Sequence, residues 1–466
     1  MSFRVRRTIL TLLVAAPIVA AALLWNRPPA LLDAYPRRNI LLISVDTLRP
    51  DHLGSYGYHR PTSPTIDALS QRAVTFDLAF APRGMTWPSL ATMLTSLSPA
   101  TTNLRWNGQY LPAGTPTIAG LLKDSGYKAG AFVSGSICHL ARQIGDFDKV
   151  ACGEDTYVAS RAVAFIRSLT GEPFFAWLHL LAPHGPYDPP PEYDLFSAAD
   201  YQGPVGRDST TLATLIRGQR PLTDADSAQL NGLYDGEVRF ADAQVALLLK
   251  TLEEQGLRDD TIVVFTADHG EDLHDHNGYL YHSCSIYDSV LRIPMMLARP
   301  DGAAAGERVS SIVEMADLAP TLLELVGVER PPTLEGRSML AHLDGRESSP
   351  PGSAADERVA SSEWYDPKLL KSLQTVRTER WRYVSNPEGL TPRCPPAGDY
   401  YKVAREELYD HAADPREQHN VAAEHPELTR RFAKLTEAGH AAASDASPLP
   451  VDEKLREELR SFGYVE

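Results

Sequence analysis

A carboxylate and an imidazole stand side by side just after an apolar run in this 466-residue chain. The run is TIVVF at residues 261–265, and Asp268 and His269 follow it. A β-branched and aromatic run that stops at polar residues is typical of a buried central strand whose carboxyl end opens into a site. Aspartate oxygen and neutral histidine nitrogen both bind divalent cations, so this strand end is a candidate metal site.

The residues that follow are rich in histidine. Four of the 14 histidines lie between positions 269 and 282, and the last of them is His282. A strand-end aspartate is also a common helix cap, so this segment alone leaves a structural interpretation open. A second strand end favours a site, because the run NILLISV at residues 39–45 is also followed by an acid, Asp46.

Two strand ends that carry acids are typical of a doubly wound α/β fold with a mostly parallel sheet flanked by helices. Ligands in that fold bind outside the carboxyl ends of the strands, where Asp46 and Asp268 would meet. The alternation of apolar patterns along the chain supports the class. Helices are predicted at 65–73, 117–125, 155–168, 223–255 and 315–326, and further strands at 127–134, 174–181 and 294–298.

The composition and the apolar pattern of the sequence change after residue 345. Residues 346–356, RESSPPGSAAD, are rich in Pro, Ser and Gly and are predicted to be a linker. Short strand-like runs follow at 359–364, 373–376 and 381–384, and then a helix at 426–438. We therefore expect a main domain at 39–345, which holds the site, and a smaller α+β subdomain at 357–466.

The N-terminal residues predict export. Residues 8–25 are uncharged and apolar and follow three arginines, so residues 1–25 are predicted to be a signal anchor or a signal peptide. Residues 26–38, with three prolines and three arginines, would be a tether. By the positive-inside rule the rest of the chain lies outside the cytoplasm. We expect a cell-envelope protein that is membrane-anchored, periplasmic or secreted.

Composition limits the partners and suggests the redox state. A formal net charge of −15 argues against a nucleic-acid partner and leaves the positive charge of an anion site to a metal. In an exported chain the four cysteines can pair. Cys138 with Cys152 would close a short loop, and Cys284 with Cys394 would join the main domain to the C-terminal region. The sequence leaves all three connectivities, and free thiols, open.

Six stretches of the chain carry the motifs of a known family. They are NILLISVDTLRPDHLGSYGY from residue 39, TWPSLATMLTS from 86, HLLAPHGPY from 179, TIVVFTADHGE from 261, YHSCSIYDSVLRIPMM from 281 and ELYDHAADPREQHN from 407. The chain resembles the sulfatases, a family of the alkaline-phosphatase-like superfamily, from about residue 39 to 425. The resemblance implies an ester hydrolase with one divalent ion, Ca, Mn, Zn or Mg, bound by Asp46, Asp268, His269 and the nucleophile.

The chain departs from the sulfatase pattern at three places. Sulfatases have two adjacent acids after the first strand, whereas Asp46 is followed by Thr47. They have Cys-x-Pro-Ser-Arg, whose cysteine becomes formylglycine, whereas this chain has Thr86-Trp87-Pro88-Ser89-Leu90 and cannot form it. His269 replaces an asparagine of many sulfatases and resembles the phosphonate and phosphodiester hydrolases of the superfamily. These differences move the expected metal preference from Ca towards Mn or Zn.

Thr86 is the type of residue that acts as nucleophile in superfamily phosphodiesterases and transferases. We predict that a metal activates its hydroxyl at the start of a helix at 86–97, where backbone N–H groups favour an anionic oxygen. A plain N-cap is the alternative role. His184 and His282 match the family's substrate-side histidines and would steady the anion or protonate the leaving oxygen, unless they are structural. Three further residues are expected to orient the metal ligands: Glu271, His179 and Arg49.

Three functions are compatible with the sequence. The first is an exported, metal-dependent hydrolase of sulfuric or phosphoric esters, with an anionic ester as substrate. The second is a transferase that passes a phospho-group from a lipid to an envelope glycan. Lipid-using relatives often have several membrane spans, whereas this chain has a single N-terminal hydrophobic segment, which argues against the transferase. The third is a pseudoenzyme that binds an anion without turnover. The joint presence of Asp46, Thr86, Asp268 and His269 argues against the third.

Overall fold

The computed structural model describes residues 38–217, 222–276, 279–344, 358–392 and 402–444. The predicted N-terminal segment at 1–25, all of the tether at 26–38 except its last residue, and the linker at 346–356 lie outside these residues. Within the described ranges, no helix combines the length and the apolar character needed to cross a membrane.

A nine-stranded sheet forms the centre of the described structure. Its strands are β1 (Asn39–Val45), β2 (Val74–Phe80), β3 (Lys128–Ser134), β4 (Lys149–Gly153), β5 (Phe174–Leu180), β6 (Thr261–Ala267), β9 (Arg292–Ala298), β10 (Arg308–Val309) and β11 (Val313–Glu314), while β7 (Asp272–Leu273) and β8 (Leu280–Tyr281) form a separate ribbon. The order is β10-β2-β9-β6-β1-β5-β3-β4, with β11 beside β2. Only β9 runs antiparallel to its neighbours in this sheet. The predicted doubly wound, mostly parallel class is therefore confirmed.

The three central strands determine where the site lies. β6, β1 and β5 are adjacent, parallel and buried along their whole length, as their continuous apolar sequences predict. In register, Val45 pairs with Ala267 on one side and with Leu180 on the other. The chain therefore leaves β1 and β6 at the same edge, and Asp46 and Asp268 emerge side by side.

The helices predicted at 117–125, 155–168 and 223–255 agree with the structure to within one residue at each end. Helices flank the sheet. They are α1 (Pro64–Ser70), α2 (Thr86–Thr95), α3 (Pro99–Thr102), α4 (Ile118–Asp124), α5 (Ile137–Ile144), α6 (Asp155–Ser168), α7 (Ser209–Arg217), α8 (Asp224–Glu254), α9 (Asp288–Leu291), α10 (Leu318–Leu325) and α11 (Leu340–Leu343). In the described residues, 3₁₀ turns lie at Pro50–His52, Gly54–Tyr56, Arg258–Asp260 and Met315–Asp317.

Three predicted helices need correction, and the first of them, predicted at 65–73, spans Pro64–Ser70. The helix predicted at 86–97 ends at Thr95, because Ser96 takes a left-handed φ of 58° that stops the helical ladder. The helix predicted at 315–326 begins as the 3₁₀ turn Met315–Asp317 and becomes α-helical only at Leu318. Asp317 closes a capping box with Glu314 there, which explains the tighter first turn.

The described part of the C-terminal subdomain is a four-stranded antiparallel sheet with one helix. Its strands are β12 (Ala360–Asp366), β13 (Lys371–Arg377), β14 (Trp381–Ser385) and β15 (Glu406–Asp410), and its helix is α12 (Pro426–Ser444). Phe432 of α12 packs on Val376, Tyr383 and Leu408 of the sheet and forms a small second core. This confirms the predicted α+β subdomain, although α12 extends past the predicted end at residue 438.

One of the two proposed disulfides lies within the described residues. Cys138 and Cys152 are bonded, which joins α5 to β4. The pairing proposed for Cys284 involves Cys394, which lies outside the described residues.

Glu237 on α8 is a buried carboxyl. Its Oε1 accepts the N–H of Asp188 at 3.0 Å. Burial raises the pKa of Glu237 to about 8. Between about pH 4.5 and pH 8 the folded protein therefore keeps a proton that the unfolded chain has released, so this group lowers stability as the pH rises through that window.

The variant Glu237→Gln has a neutral side chain whose oxygen can still accept the N–H of Asp188. It is expected to raise the free energy of unfolding at pH 9 by up to roughly 5 kcal/mol. Near pH 4 wild type and variant should have similar stability. Urea unfolding across this range measures the effect, with Glu254→Gln at the exposed end of the same helix as the control. Parallel pH profiles for wild type and Glu237→Gln would contradict the raised pKa.

Candidate active site

The carboxyl ends of β1 and β6 bring Asp46, Asp268 and His269 into one fully buried cluster. Nε2 of His269 lies 3.8 Å from Oδ1 of Asp46 and 3.4 Å from Oδ2 of Asp268. Nδ1 of His269 lies 2.9 Å from the carbonyl oxygen of Gly270, to which it donates. Burial lowers the pKa of His269, so the ring is neutral and Nε2 carries its lone pair. The lone pair of His269 therefore lies beside the carboxylate oxygens, where a metal ion could bind to all three side chains.

Thr86 is the first residue of α2, and its hydroxyl faces the same cluster. Its Oγ1 lies 3.4 Å from Nε2 of His269, and the residue is fully buried. The N-cap of α2 is Met85, which makes no side-chain cap, and Oδ1 of Asn107 accepts the N–H of Trp87 at 2.9 Å. The alternative in which Thr86 serves only as the N-cap is therefore wrong.

The two acids of the cluster have opposite pKa shifts. Burial raises the pKa of Asp268 well above its ordinary value, and the charge of Asp46 adds to this. Burial also favours neutral Asp46, but the imidazoles of His184, His179 and His269 outweigh it and lower the pKa of Asp46. Oδ1 of Asp268 accepts the N–H groups of Thr47 and His269, whereas its buried Oδ2 accepts no hydrogen bond from the described residues. Such a pair of acids favours a cation beside it.

His179 at the end of β5 also points towards these acids. Its Nε2 lies 3.7 Å from Oδ2 of Asp46, and both side chains are fully buried. Ligand atoms of Asp46, His179 and Asp268 all lie within 4.8 Å of one another, so this group could hold a metal ion. The sequence assigned His179 only an orienting role. The register that pairs it with Ser44, one residue before the end of the β1–β5 ladder, brings it this close.

His184 and His282 lie beside the cluster. The ring centroids of His269 and His282 are 4.5 Å apart, and those of His184 and His282 are 5.1 Å apart. Nδ1 of His184 donates to the carbonyl oxygen of Gly185 at 2.7 Å, and its Nε2 lies 3.5 Å from the hydroxyl of Tyr281. Burial lowers the pKa of both histidines, and repulsion from the other imidazoles lowers that of His282 further. Both rings are therefore neutral near pH 7 in the free protein, and an anionic ester bound beside them would favour their protonated forms.

Glu271 and Arg49 contact the loops that carry the site. Oε1 of Glu271 lies 3.0 Å from Nδ1 of His282. The Arg49 guanidinium donates to the carbonyl oxygen of Glu271 at 3.0 Å and pairs with Asp51 and Asp275. Arg49 thus links the loop after β1 to the loop after β6. These are positions that an orienting role requires, and that role stays a prediction.

The C-terminal subdomain holds the loop that leads into α2. Glu363 of β12 accepts from Nη1 of Arg105 at 2.8 Å and lies 3.7 Å from Nη1 of Arg83. Its backbone N–H also donates to the carbonyl oxygen of Pro82 at 2.9 Å. Burial lowers the pKa of Arg83 to about 10, partly offset by Glu363. Sequence analysis missed this contact, because no local pattern links residues so far apart in the chain.

Comparisons with known proteins identify the family of the chain. The family model described as Sulfatase matches residues 38–328, and the model for the C-terminal region of N-sulphoglucosamine sulphohydrolase matches residues 277–440. The first match covers more than half of the chain, so the protein belongs to the sulfatase family. It is 24% identical to an ulvan-active sulfatase of Formosa agariphila, over 84% of this chain and 78% of that protein. It is 25% identical to a delta 4,5-hexuronate-2-O-sulfatase of Bacteroides thetaiotaomicron, over 84% of this chain and 85% of the other.

Solved structures share the fold. The phosphonate monoester hydrolase of Agrobacterium radiobacter superposes with a TM-score of 0.70 at 22% identity, over 87% of this chain and 96% of that one. A protein solved in complex with its substrate, D-glucosamine-2-N,6-O-disulfate, superposes with a TM-score of 0.71 at 20% identity, over 88% and 99% of the two chains. Fold and family together make this protein a sulfatase-family ester hydrolase.

Proposed function

We propose that the protein is an exported, metal-dependent hydrolase in which Thr86 attacks the sulfur or phosphorus atom of an anionic ester. One observation carries the proposal. The hydroxyl of Thr86 and the carboxylate of Asp268 both lie 3.4 Å from Nε2 of His269, and that of Asp46 lies 3.8 Å from it, all in a fully buried cluster. A hydroxyl beside ligand-type oxygen and nitrogen atoms is the arrangement that a metal-activated nucleophile needs.

The residues of the cluster fit one divalent ion. Asp46, Asp268, His269 and Thr86 would hold it, because the neutral imidazole has a lone pair on Nε2 and Oδ2 of Asp268 accepts no hydrogen bond from the described residues. A bound ion supplies positive charge that lowers the pKa of a neighbouring hydroxyl and balances the charge of the ester.

Thr86 would supply the attacking oxygen. Its attack on a phosphodiester forms a bond from Oγ1 to phosphorus and breaks the bond to the leaving alkoxide. Oγ1 gives up its proton, and the leaving alkoxide takes one up to become the alcohol. His184 and His282 would steady the anion or protonate the leaving oxygen. The start of α2 favours negative charge on the transferred group. Attack of water on the esterified Thr86 then releases the product and restores the hydroxyl.

The nucleophile type bears on the class of ester. A formylglycine hydrate releases sulfate by collapsing to the aldehyde, whereas an esterified Thr86 must be attacked again, which favours a phosphoryl intermediate. Sulfate monoesters and phosphodiesters carry one negative charge, which one ion and two histidines can balance. A phosphate monoester carries two, and Leu90 has replaced the arginine of sulfatases. The fold shared with a phosphonate monoester hydrolase is compatible with this preference.

We therefore expect phosphodiesters or phosphonate monoesters to be turned over at least as well as sulfate esters. A metal-reconstituted assay across sulfate monoesters, phosphate monoesters, phosphodiesters and phosphonate monoesters tests this order. Turnover of sulfate esters alone would contradict the proposed mechanism.

Asp268→Ala is expected to lose about one equivalent of bound divalent metal, because the variant removes a carboxylate ligand. Elemental analysis after reconstitution measures it. Asp260→Ala, at the other end of the same strand and half exposed, is the control and should keep its metal. Unchanged metal content in Asp268→Ala would rule out the proposed ligand set.

We also propose that residues 8–25 take the chain into or across a membrane and that the enzyme works in the cell envelope. The support is the apolar run after three arginines. Cell fractionation tests it, and full-length protein in the cytosol would contradict export.

A further inference from the structure

We propose that His179 is a positioning residue, which directs a protonated Nε2 at the carboxylate of Asp46 and does not bind the metal ion itself. The inference rests on the proposed metal-dependent function. It assigns a role to a residue that, by distance alone, could equally be a metal ligand.

Strand geometry builds a small hydrogen-bonded group around His179. Trp177 and His179 are two residues apart on β5 and so lie on the same face of the sheet. Ser44 is the register partner of His179 on β1. Its Oγ lies 2.9 Å from Nε1 of Trp177 and 2.9 Å from Nδ1 of His179. All three side chains are fully buried.

Ser44 decides which nitrogen of His179 carries the proton. The indole N–H of Trp177 can only donate, so the oxygen of Ser44 accepts it. The hydroxyl proton of Ser44 then needs an acceptor, and Nδ1 of His179 is the one that the described residues place within reach. Since a buried hydroxyl without an acceptor is unfavourable, Ser44 donates to Nδ1. The neutral ring therefore has its proton on Nε2.

A protonated Nε2 cannot bind a metal ion, but it can hold a carboxylate. It lies 3.7 Å from Oδ2 of Asp46, about 0.8 Å longer than an ordinary hydrogen bond, and makes no hydrogen bond to the described residues. The N–H would hold Oδ2 and leave Oδ1, which lies 3.8 Å from Nε2 of His269, for the ion. Residues that contact the metal ligands, but not the metal itself, orient the ligands in this way at metal sites.

The role assigned to His179 also limits which metal ion the site favours. Without His179 the protein ligands are oxygens of Asp46, Asp268 and Thr86 and one nitrogen of His269. A set of three oxygens and one nitrogen favours Mn²⁺, Mg²⁺ or Ca²⁺, whereas a second imidazole would favour Zn²⁺.

NMR of the full-length protein labelled with ¹⁵N-histidine tests the tautomer directly. We expect a slowly exchanging Nε2–H signal that is absent from His179→Gln and present in wild type both before and after saturation with Mg²⁺. Loss of this signal when Mg²⁺ binds, with a shift of the Nε2 resonance to a metal-bound value, would overturn the inference.

Ser44→Ala provides a second test, because it removes the hydroxyl that fixes the tautomer. The ring can then carry its proton on Nδ1 and present a lone pair on Nε2 to the ion. The ratio of Zn²⁺ to Mg²⁺ affinity should therefore rise about tenfold or more. The control is Thr251→Ala, which removes a buried hydroxyl of α8 that donates to the carbonyl oxygen of Leu247 at 2.8 Å. An unchanged affinity ratio in Ser44→Ala would contradict the proposal.

These readouts do not require turnover, so they separate this inference from the proposed function. A wild-type protein that hydrolyses no ester but keeps the Nε2–H signal would contradict the function and support the tautomer. An active enzyme whose Nε2 binds the ion would contradict the role of His179 alone.

Discussion

Thr86→Ala is expected to lower kcat by about 10³-fold or more while the protein keeps its metal, the scale for losing a covalent nucleophile. The physical reason is that the oxygen 3.4 Å from Nε2 of His269 is removed while the acids and imidazoles remain. Steady-state kinetics on the best ester, with metal content measured in parallel, checks it.

Thr95→Ala is the matched control for this variant. Thr95 is buried in the same helix, but its hydroxyl donates to the carbonyl oxygen of Ala91 at 2.7 Å. Its kcat should stay within about tenfold of wild type. If Thr86→Ala kept a similar share of activity, Thr86 would not be the nucleophile.

Glu363→Ala is expected to destabilise the protein by about 3 to 5 kcal/mol, the scale for removing one partner of a buried ion pair. Arg83 and Arg105 are each 1% exposed, and Glu363 is the carboxylate that approaches both. Without it, two guanidinium groups are left buried against each other. Urea unfolding followed by tryptophan fluorescence measures the change in free energy.

A surface pair in the same subdomain calibrates this effect. Glu388 is 53% exposed and pairs with Lys371 at 2.7 Å, so Glu388→Ala should cost less than about 1 kcal/mol. A loss for Glu363→Ala as small as this would show that the buried cluster does not hold the subdomain against the main domain. A large loss would explain how β12 keeps the loop before Thr86 in place.

Much of the fold could be predicted because buried parallel strands have continuous apolar sequences. The runs at residues 39–45 and 261–265 marked the two central strands, and the helix predicted at 155–168 has the observed bounds. The direction of β9 could not be predicted, because an apolar run has no signature of whether its neighbours are parallel. β2 was missed, since VTFDLAF mixes inward and outward residues around a register shift.

The same apolar strand pattern predicted the acids of the site, but it did not predict the side chains that lie around them. Asp46 and Asp268 are predictable because each directly follows a strand. His179 reaches them only because β5 lies beside β1 in a register that pairs it with Ser44, and strand order is not written in the local sequence. Glu363 approaches Arg83 and Arg105 from a separate subdomain, so only the packed structure shows it.

The stereochemical course at phosphorus tests the central claim most directly, because it reports whether the enzyme forms a covalent intermediate. A phosphodiester made chiral at phosphorus with sulfur and oxygen isotopes is hydrolysed by the metal-loaded enzyme, and the configuration of the product is determined. Attack by Thr86 followed by attack of water is two in-line displacements, so we predict net retention. Net inversion would mean that water attacks the ester directly and would contradict Thr86 as the nucleophile.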